Sequence, residues 1–382
     1  MRKIIKYISI NTIFFIICYN IFLNRISILK LYRESWRVIS NEKVLTKEQT
    51  YHFEESLKEV FQTDDKWINS FGLIQKVLLK RDLLDVVSDK NGRLYFKDSP
   101  AYAAVDNVAD NIETLYQYTK ELDIPFLFVQ CPYKSYADVE ELQGYGIDKT
   151  KENESLLVEK LNERGVPVCD LRVYFTDEAY YKTDHHWTCE AAFQANSIVM
   201  KYLYEKFEVS FKEYEMEKFQ DIDQYKLIDY ESSFLGSVGI RVGEHYSEKE
   251  NFSIIVPAFS TDFNYEHLIN GKRTGYFSGD FYECFIDEKR LLDKNYKNKY
   301  MVFLRGGYVE NIIKNNESNN ELKALFISHS YGRPMSQYMS LYFKEIRYLD
   351  PSPGRYNSSY IEYIQSYEPD VVVLMYNGEI PL

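Results

Sequence analysis

Lys323-Ala324-Leu325-Phe326-Ile327-Ser328-His329-Ser330-Tyr331-Gly332 is the stretch that decides the fold. Its unbroken apolar run from Ala324 to Ile327 is what a strand buried on both faces requires, so Lys323 to Ser328 is expected to be a strand. Beyond the turn, Pro334 to Phe343 is expected to be a helix and Glu345 to Asp350 a second strand. Tyr356 to Tyr367 is then a helix, and Asp370 to Tyr376, with three consecutive valines, a very apolar strand. Two consecutive strand-helix-strand units imply parallel strands joined by right-handed crossovers.

The same alternation appears earlier in the chain. Asp106 to Leu122 has helical apolar spacing (Val108, Ile112, Leu115, Tyr116), and Ile124 to Val129 is a short apolar strand. Lys151 to Glu163 is a helix candidate, and Val166 to Leu171 a further strand. Thr188 to Phe207 is a strong helix, with Thr188 in the capping position and Glu190 in the first turn. Residues 208 to about 300 break the rhythm with short alternating runs and scattered glycines, as expected of antiparallel hairpins inserted into the frame. Asn311 to Asn320 is expected to be a polar loop. The fold class is therefore α/β, a parallel sheet flanked by helices with a β-rich insertion at 208–300.

The N-terminus carries a different signal. Arg2, Lys3 and Lys6 precede an apolar run from Ile8 to Leu23, interrupted by Asn11 and Asn20 and near the lower length limit for a membrane span. The residues after it, Asn24-Arg25-Ile26-Ser27, offer no small-x-small cleavage site. An uncleaved anchor over 1–25 is expected, with a single pass through the cell membrane and the remainder extracytoplasmic. A cleaved signal peptide and a buried helix are the other readings, and basic residues on both flanks leave the orientation open. Residues 26–100 are expected to form a membrane-proximal stalk and lead-in, and 101–382 the main domain. The formal charge of −12 over 382 residues argues against a nucleic-acid partner. Cysteines at 18, 131, 169, 189 and 284 form neither a zinc pattern nor a disulfide scaffold, although Cys131 and Cys169 each end an expected strand and are a possible pair.

Chemistry enters at Tyr180-Tyr181-Lys182-Thr183-Asp184-His185-His186-Trp187-Thr188. Only six histidines occur in the chain, and two of them sit here beside an aspartate and a tryptophan. An aspartate two positions before a histidine can hold the imidazole in one tautomer and leave its other nitrogen free to take a proton. Ser330 supplies a nucleophile candidate, because it follows an apolar strand and precedes a helix. Ligands of doubly wound sheets bind at that end of the strands, and a helix N-terminus favours developing negative charge. Many serines in such places simply cap the helix.

Taken together, these residues make the chain resemble the DHHW proteins. That group is a branch of the SGNH-hydrolase-like proteins and includes the alginate O-acetyltransferases of the bacterial periplasm. The resemblance rests on Thr183-Asp184-His185-His186-Trp187-Thr188, Phe234-Leu235-Gly236-Ser237-Val238-Gly239, Val302-Phe303-Leu304-Arg305-Gly306-Gly307, and the His329-Ser330-Tyr331 turn with Tyr376-Asn377. It implies Asp184 as the orienting acid, His186 as general base and Ser330 as the acyl-accepting nucleophile, with His185 a neighbour and not the base. Backbone N–H groups would meet the oxyanion, and the Ser330 amide and the Gly306-Gly307 turn are candidates. His185, Tyr331 and Asn377 are candidate substrate-binding neighbours, and no metal or cofactor is implied. Lys134, in Cys131-Pro132-Tyr133-Lys134, matches a lysine common in the family, although a solvated surface lysine is the plainer account. The sequence departs from the family at His329, where aspartate is usual, at Ser328, often lysine, and after Asp350, where Pro351-Ser352-Pro353 replaces an arginine-tyrosine run.

The function so implied is an extracytoplasmic O-acetyltransferase. It would acetylate a cell-surface polysaccharide through an acetyl-serine, fed by a membrane-bound O-acyltransferase as acetyl donor. An acetyl esterase would use the same triad with water as acceptor, and a non-catalytic glycan-binding or scaffold protein of the same fold is the alternative from another class. Metal-dependent phosphoesterases with an Asp-His-His motif need further aspartates on separate strand ends, which Gln130-Cys131-Pro132 does not offer. Palmitoyltransferases need a cysteine where Trp187 stands.

Overall fold

The computed structural model describes residues 65–97, 105–207, 209, 211–351 and 359–376. The apolar run Ile8–Leu23, Cys18 and Asn377 lie outside the described residues. Among those described, no helix is long and apolar enough to cross a membrane.

Two compact units are present. The smaller contains helix α1 (Asp65–Val77), the short strand β1 (Asp82–Leu83) and residues 239–248. Within it the Asn69 side chain accepts from the Glu244 amide at 2.8 Å and donates to the Glu244 carboxylate at 3.1 Å.

The larger unit carries the α/β architecture. A hairpin, β2 (Val86–Ser88) and β3 (Leu94–Phe96), leads into α2 (Val105–Glu121), β4 (Phe126–Gln130), α3 (Thr150–Glu163), β5 (Val168–Asp170) and α4 (Cys189–Phe207). Then follow α5 (Glu213–Gln220), β6 (Tyr225–Phe234), α6 (Ser237–Val242), which belongs to the smaller unit from residue 239 on, β7 (Glu250–Pro257), β8 (Phe263–Ile269), β9 (Lys272–Gly279), α7 (Phe281–Phe285) and α8 (Glu288–Leu292). The chain closes with β10 (Glu310–Asn315), β11 (Lys323–Ser328), α9 (Gly332–Met339), β12 (Glu345–Leu349), α10 (Tyr360–Tyr367) and β13 (Val371–Tyr376).

Eight strands form the main sheet in the order β5-β4-β13-β11-β12-β10-β8-β9. The first five are parallel to one another, and the last three extend the sheet antiparallel. The parallel part follows from the apolar runs, since Val371–Tyr376 is buried at every position and only a strand covered on both faces tolerates that. Side chains alternate between two layers. Phe126, Phe128, Leu325 and Ile327 meet α2, α3 and α10 on one face, while Leu127, Val129, Phe326 and Val373 meet α4 and α9 on the other. The α2 stripe of Val105, Val108, Ile112 and Leu115 has the spacing a helix needs to dock on that face.

Region 208–300 holds the antiparallel pairs β6–β7 and β8–β9. The second pair is not a separate layer, because β10 joins it to the main sheet. That strand corrects the reading of Asn311–Asn320 as a loop. Asn311 and Asn315 alternate with half-exposed positions and point inward, where the Asn311 amide accepts from Tyr265 Oη at 2.8 Å. The Asn315 amide donates to the Ser340 and Leu341 carbonyls, each at 3.2 Å. Polar side chains satisfied in this way occupy core positions that hydrophobicity alone does not reveal. The possible Cys131–Cys169 pair is also corrected, because both are free, buried thiols.

Candidate active site

Two loops build the site at the carboxyl end of the parallel strands. The first is the turn between β11 and α9. Its geometry is close, since a Cβ at Gly332 would press on the Ser328 side chain, and the Gly332 amide donates to the His329 carbonyl at 2.8 Å. The Tyr348 hydroxyl donates to the same carbonyl at 2.8 Å. This leaves Ser330 half-buried at the strand end.

The second loop is a hairpin pinched by an antiparallel bridge between Tyr180 and Trp187, with Thr188 N donating to Ala179 O at 2.7 Å. Trp187 is fully buried and packs on Phe175 and Tyr331, and the Thr188 hydroxyl accepts from Ala191 N at 3.2 Å as a cap for α4. The tryptophan and the cap thus root the loop, and Asp184 and His186 stand at its tip.

Between the two loops the side chains align. His186 Nδ1 lies 2.6 Å from Asp184 Oδ1, and His186 Nε2 lies 2.7 Å from Ser330 Oγ. Asp184 also accepts from the His186 amide at 2.9 Å through Oδ1, and from the Ser237 amide through Oδ2. A carboxylate only accepts, so the His186 proton sits on Nδ1 and Nε2 is left to accept from the serine. Tyr300 stacks on the imidazole with ring centroids 3.9 Å apart and donates its hydroxyl to Ser330 O at 3.3 Å. Burial pulls the His186 pKa down against the opposing Asp184 charge. Burial would raise Asp184, but the combined effect of His186 and His185 holds it well below the usual carboxylate range. A neutral imidazole beside an ionised carboxylate is the resting state needed for accepting a proton.

His185 lies beside the pair, with Nδ1 3.3 Å from Asp184 Oδ1. Its Nδ1 lies 2.9 Å from Ser237 Oγ, and its ring lies against His186 at 3.9 Å. Tyr331 is buried, with its hydroxyl donating to the His185 carbonyl, so it joins the two loops and has no exposed surface to offer a substrate. The Gly306 N–H already donates to Phe303 O at 3.1 Å, which withdraws it from the oxyanion candidates. The Ser330 N–H meets no acceptor among the described residues. His329 faces inward, with Nδ1 accepting from Tyr331 N at 3.3 Å, and burial followed by the neighbouring His186, His185 and Arg333 charges pushes its pKa down to about 3.

Asp184, His185 and His186 cluster closely enough to suggest a metal site. Yet Asp184 Oδ1 and His186 Nδ1, 2.6 Å apart, are too close for both to ligate one ion, since donors at about 2.0–2.1 Å in tetrahedral array stand roughly 3.3 Å from one another. That pair of atoms fits a hydrogen bond and not joint ligation of one ion.

Several residues at the site went unseen in the sequence. Gly236 and Ser237 belong to a motif that carried no assigned role. In the structure a Cβ at Gly236 would collide with the Asp184 carboxylate. Arg333 and Asp350 form a buried ion pair at 3.6 Å, and the guanidinium is one of the charges acting on His186. Lys134 is buried, which corrects its reading as a solvated surface lysine.

The fold is α/β, and part of it is similar to an SGNH-hydrolase-like domain. Residues 86–226 match the family described as ALGX, the SGNH hydrolase-like domain of the acetyltransferase AlgX, a stretch that includes Asp184 and His186 and ends before Ser330. Bacillus cereus PatB1, solved with a sulfonyl adduct, superimposes with a TM-score of 0.60 at 18% identity, over 76% of this chain and 94% of that one. A DHHW family protein from Eubacterium siraeum gives a TM-score of 0.51 at 17% identity, over 76% and 92% of the respective chains. At these identities the likeness shows the fold. No curated protein sequence matches the chain. The resemblance to the DHHW and AlgX-type proteins, first drawn from short motifs, therefore holds.

Proposed function

We propose that this protein is an extracytoplasmic O-acetyltransferase that modifies a cell-surface polysaccharide through an acetyl-Ser330 intermediate. The observation that carries the reading is the 2.7 Å contact between His186 Nε2 and Ser330 Oγ, backed by the 2.6 Å contact to Asp184. The family description, which names an acetyltransferase, supports the reaction class.

In the first half-reaction Ser330 Oγ bonds to the acetyl carbonyl carbon as its proton passes to His186 Nε2. The Ser330 N–H is the donor at hand for the resulting oxyanion. Collapse breaks the bond to the donor oxygen, which takes the proton from His186. In the second half a sugar hydroxyl gives its proton to His186 and attacks the ester carbonyl, and Ser330 leaves with the proton restored. Acetyl groups would come from a membrane-bound O-acyltransferase, and the N-terminal apolar run would hold the enzyme at the cell membrane.

Incubation with p-nitrophenyl acetate should leave an acetyl group on the Ser330 peptide, detectable by mass spectrometry. A serine that stays unmodified, together with unchanged polymer acetylation in cells lacking the protein, would reject the reading. Because His186 must be neutral to act, and burial lowers its pKa below 6.5, kcat/KM should rise with pH through an apparent pKa below that value and then stay flat through neutrality. A rate still climbing above about pH 7 would count against His186 as the base, since an ordinary imidazole already titrates near 6.5.

A further inference from the structure

Lys134 follows β4, about fifty positions before the hairpin that carries Asp184, and is only 4% exposed. An ammonium has three N–H donors. Here Nζ stands 2.6 Å from Tyr181 O, 2.9 Å from Lys182 O and 2.9 Å from Asp184 O. The Tyr95 ring closes a further side, 5.1 Å from Nζ. Every proton on the group is engaged by the backbone of one four-residue segment, so the lysine has none left for a substrate.

The opposite edge of the same segment is held by a carboxylate. Glu250, at the start of β7, accepts from Lys182 N and Thr183 N, each at 2.7 Å, and from the Thr183 hydroxyl. Lys182 is therefore gripped on both sides, its N–H by an anion and its C=O by a cation together with the Leu94 N–H at 2.9 Å. A loop tip has no ladder of its own, and its buried polar groups must find partners elsewhere. Hydrogen bonds to charged partners are roughly twice as strong as neutral ones. Glu250 and Asp184 are also the charges that most favour the ammonium form, against the burial that pushes the Lys134 pKa down to about 7.

We propose that Lys134 is the positioning residue of the site: its buried ammonium, working with the Glu250 carboxylate across the loop, fixes residues 181–184 in the shape that presents Asp184 to His186. The kinetic part of this inference rests on the acyl-transfer reading. The structural part does not. A misplacement of about 1 Å can cost on the order of 10²-fold in rate, and the Asp184 carbonyl that Lys134 holds belongs to the residue that orients the base.

The test uses the full-length protein with Lys134→Met and Lys134→Ala. In the wild type the His186 Nδ1–H donated to Asp184 should give a far-downfield imidazole proton by NMR. Lys134→Met should stay folded by circular dichroism, lose that resonance, and lower kcat for p-nitrophenyl acetate on the order of 10²-fold with KM little changed. In Lys134→Ala, propylammonium replaces the atoms removed. It should restore both the resonance and a large part of the rate, whereas isosteric 1-propanol should restore neither. A Lys134→Met protein that keeps resonance and turnover overturns the proposal. So does a loss that merely tracks the unfolded fraction and ignores propylammonium. If the resonance responds as described but even the wild type shows no acyl transfer, the positioning role stands and the catalytic reading fails.

Discussion

Ser330→Ala should abolish acetyl transfer while leaving the protein folded. Ser330 Oγ is the atom that would carry the acetyl group, and its removal leaves His186 Nε2 facing no nucleophile. Loss of a nucleophile from such a triad lowers kcat by roughly 10⁶-fold, with the remainder sustained by binding and oxyanion stabilisation. Stability should hardly change, because the serine is half-buried in a turn fixed by the Gly332 amide and the Tyr348 hydroxyl. The measurement is the acetyl content of the surface polymer in cells whose sole copy carries the variant, alongside acetyl labelling of the purified protein. Unchanged polymer acetylation would place this chain among non-catalytic glycan-binding or scaffold proteins of the same fold.

Asp184→Asn should be nearly as damaging, for a different reason. The carboxylate receives three N–H groups: the amide and Nδ1 of His186 on one oxygen, and the Ser237 amide on the other. Asparagine has one oxygen for the three. If that oxygen keeps His186, the new NH₂ meets the Ser237 N–H head on. If the amide flips, the NH₂ donates to Nδ1, the imidazole proton moves to Nε2, and the base can no longer accept from Ser330. The wrong tautomer costs about 10⁴-fold in kcat, and an unsatisfied buried donor about 1–3 kcal/mol of stability. A kcat measurement with a thermal melt separates the two effects. A variant with near-normal turnover would mean that Asp184 does not orient the base.

The parallel core was legible because its strands are apolar without interruption. Ala324–Ile327 and Val371–Tyr376 are covered on both faces, and the helices between them have the expected amphipathic spacing. Asp184 and His186 were legible because their contact is local, two positions apart in the chain. The partnership with Ser330 needed a family resemblance as well, since 144 positions separate the residues and no local pattern links them. What escaped was polar and buried. Asn311 and Asn315 made β10 look like a loop, although their amides are satisfied within the core. Lys134 was assigned to solvent because lysine is almost never fully buried, and its three carbonyl partners lie almost fifty positions downstream. In sequence, a carbonyl acceptor looks the same at every residue.

Cys131, Cys169, Cys189 and Cys284 are all buried free thiols, and burial raises each of their pKa values. The thiolate is the reactive form, so these four sulfurs are inert while their surroundings stay closed. With Cys18 replaced by alanine they make the chain its own opening gauge: a thiol-specific dye in excess should colour these four positions only as fast as each region breathes. The spread among the four rates would chart, sulfur by sulfur, where the fold yields first.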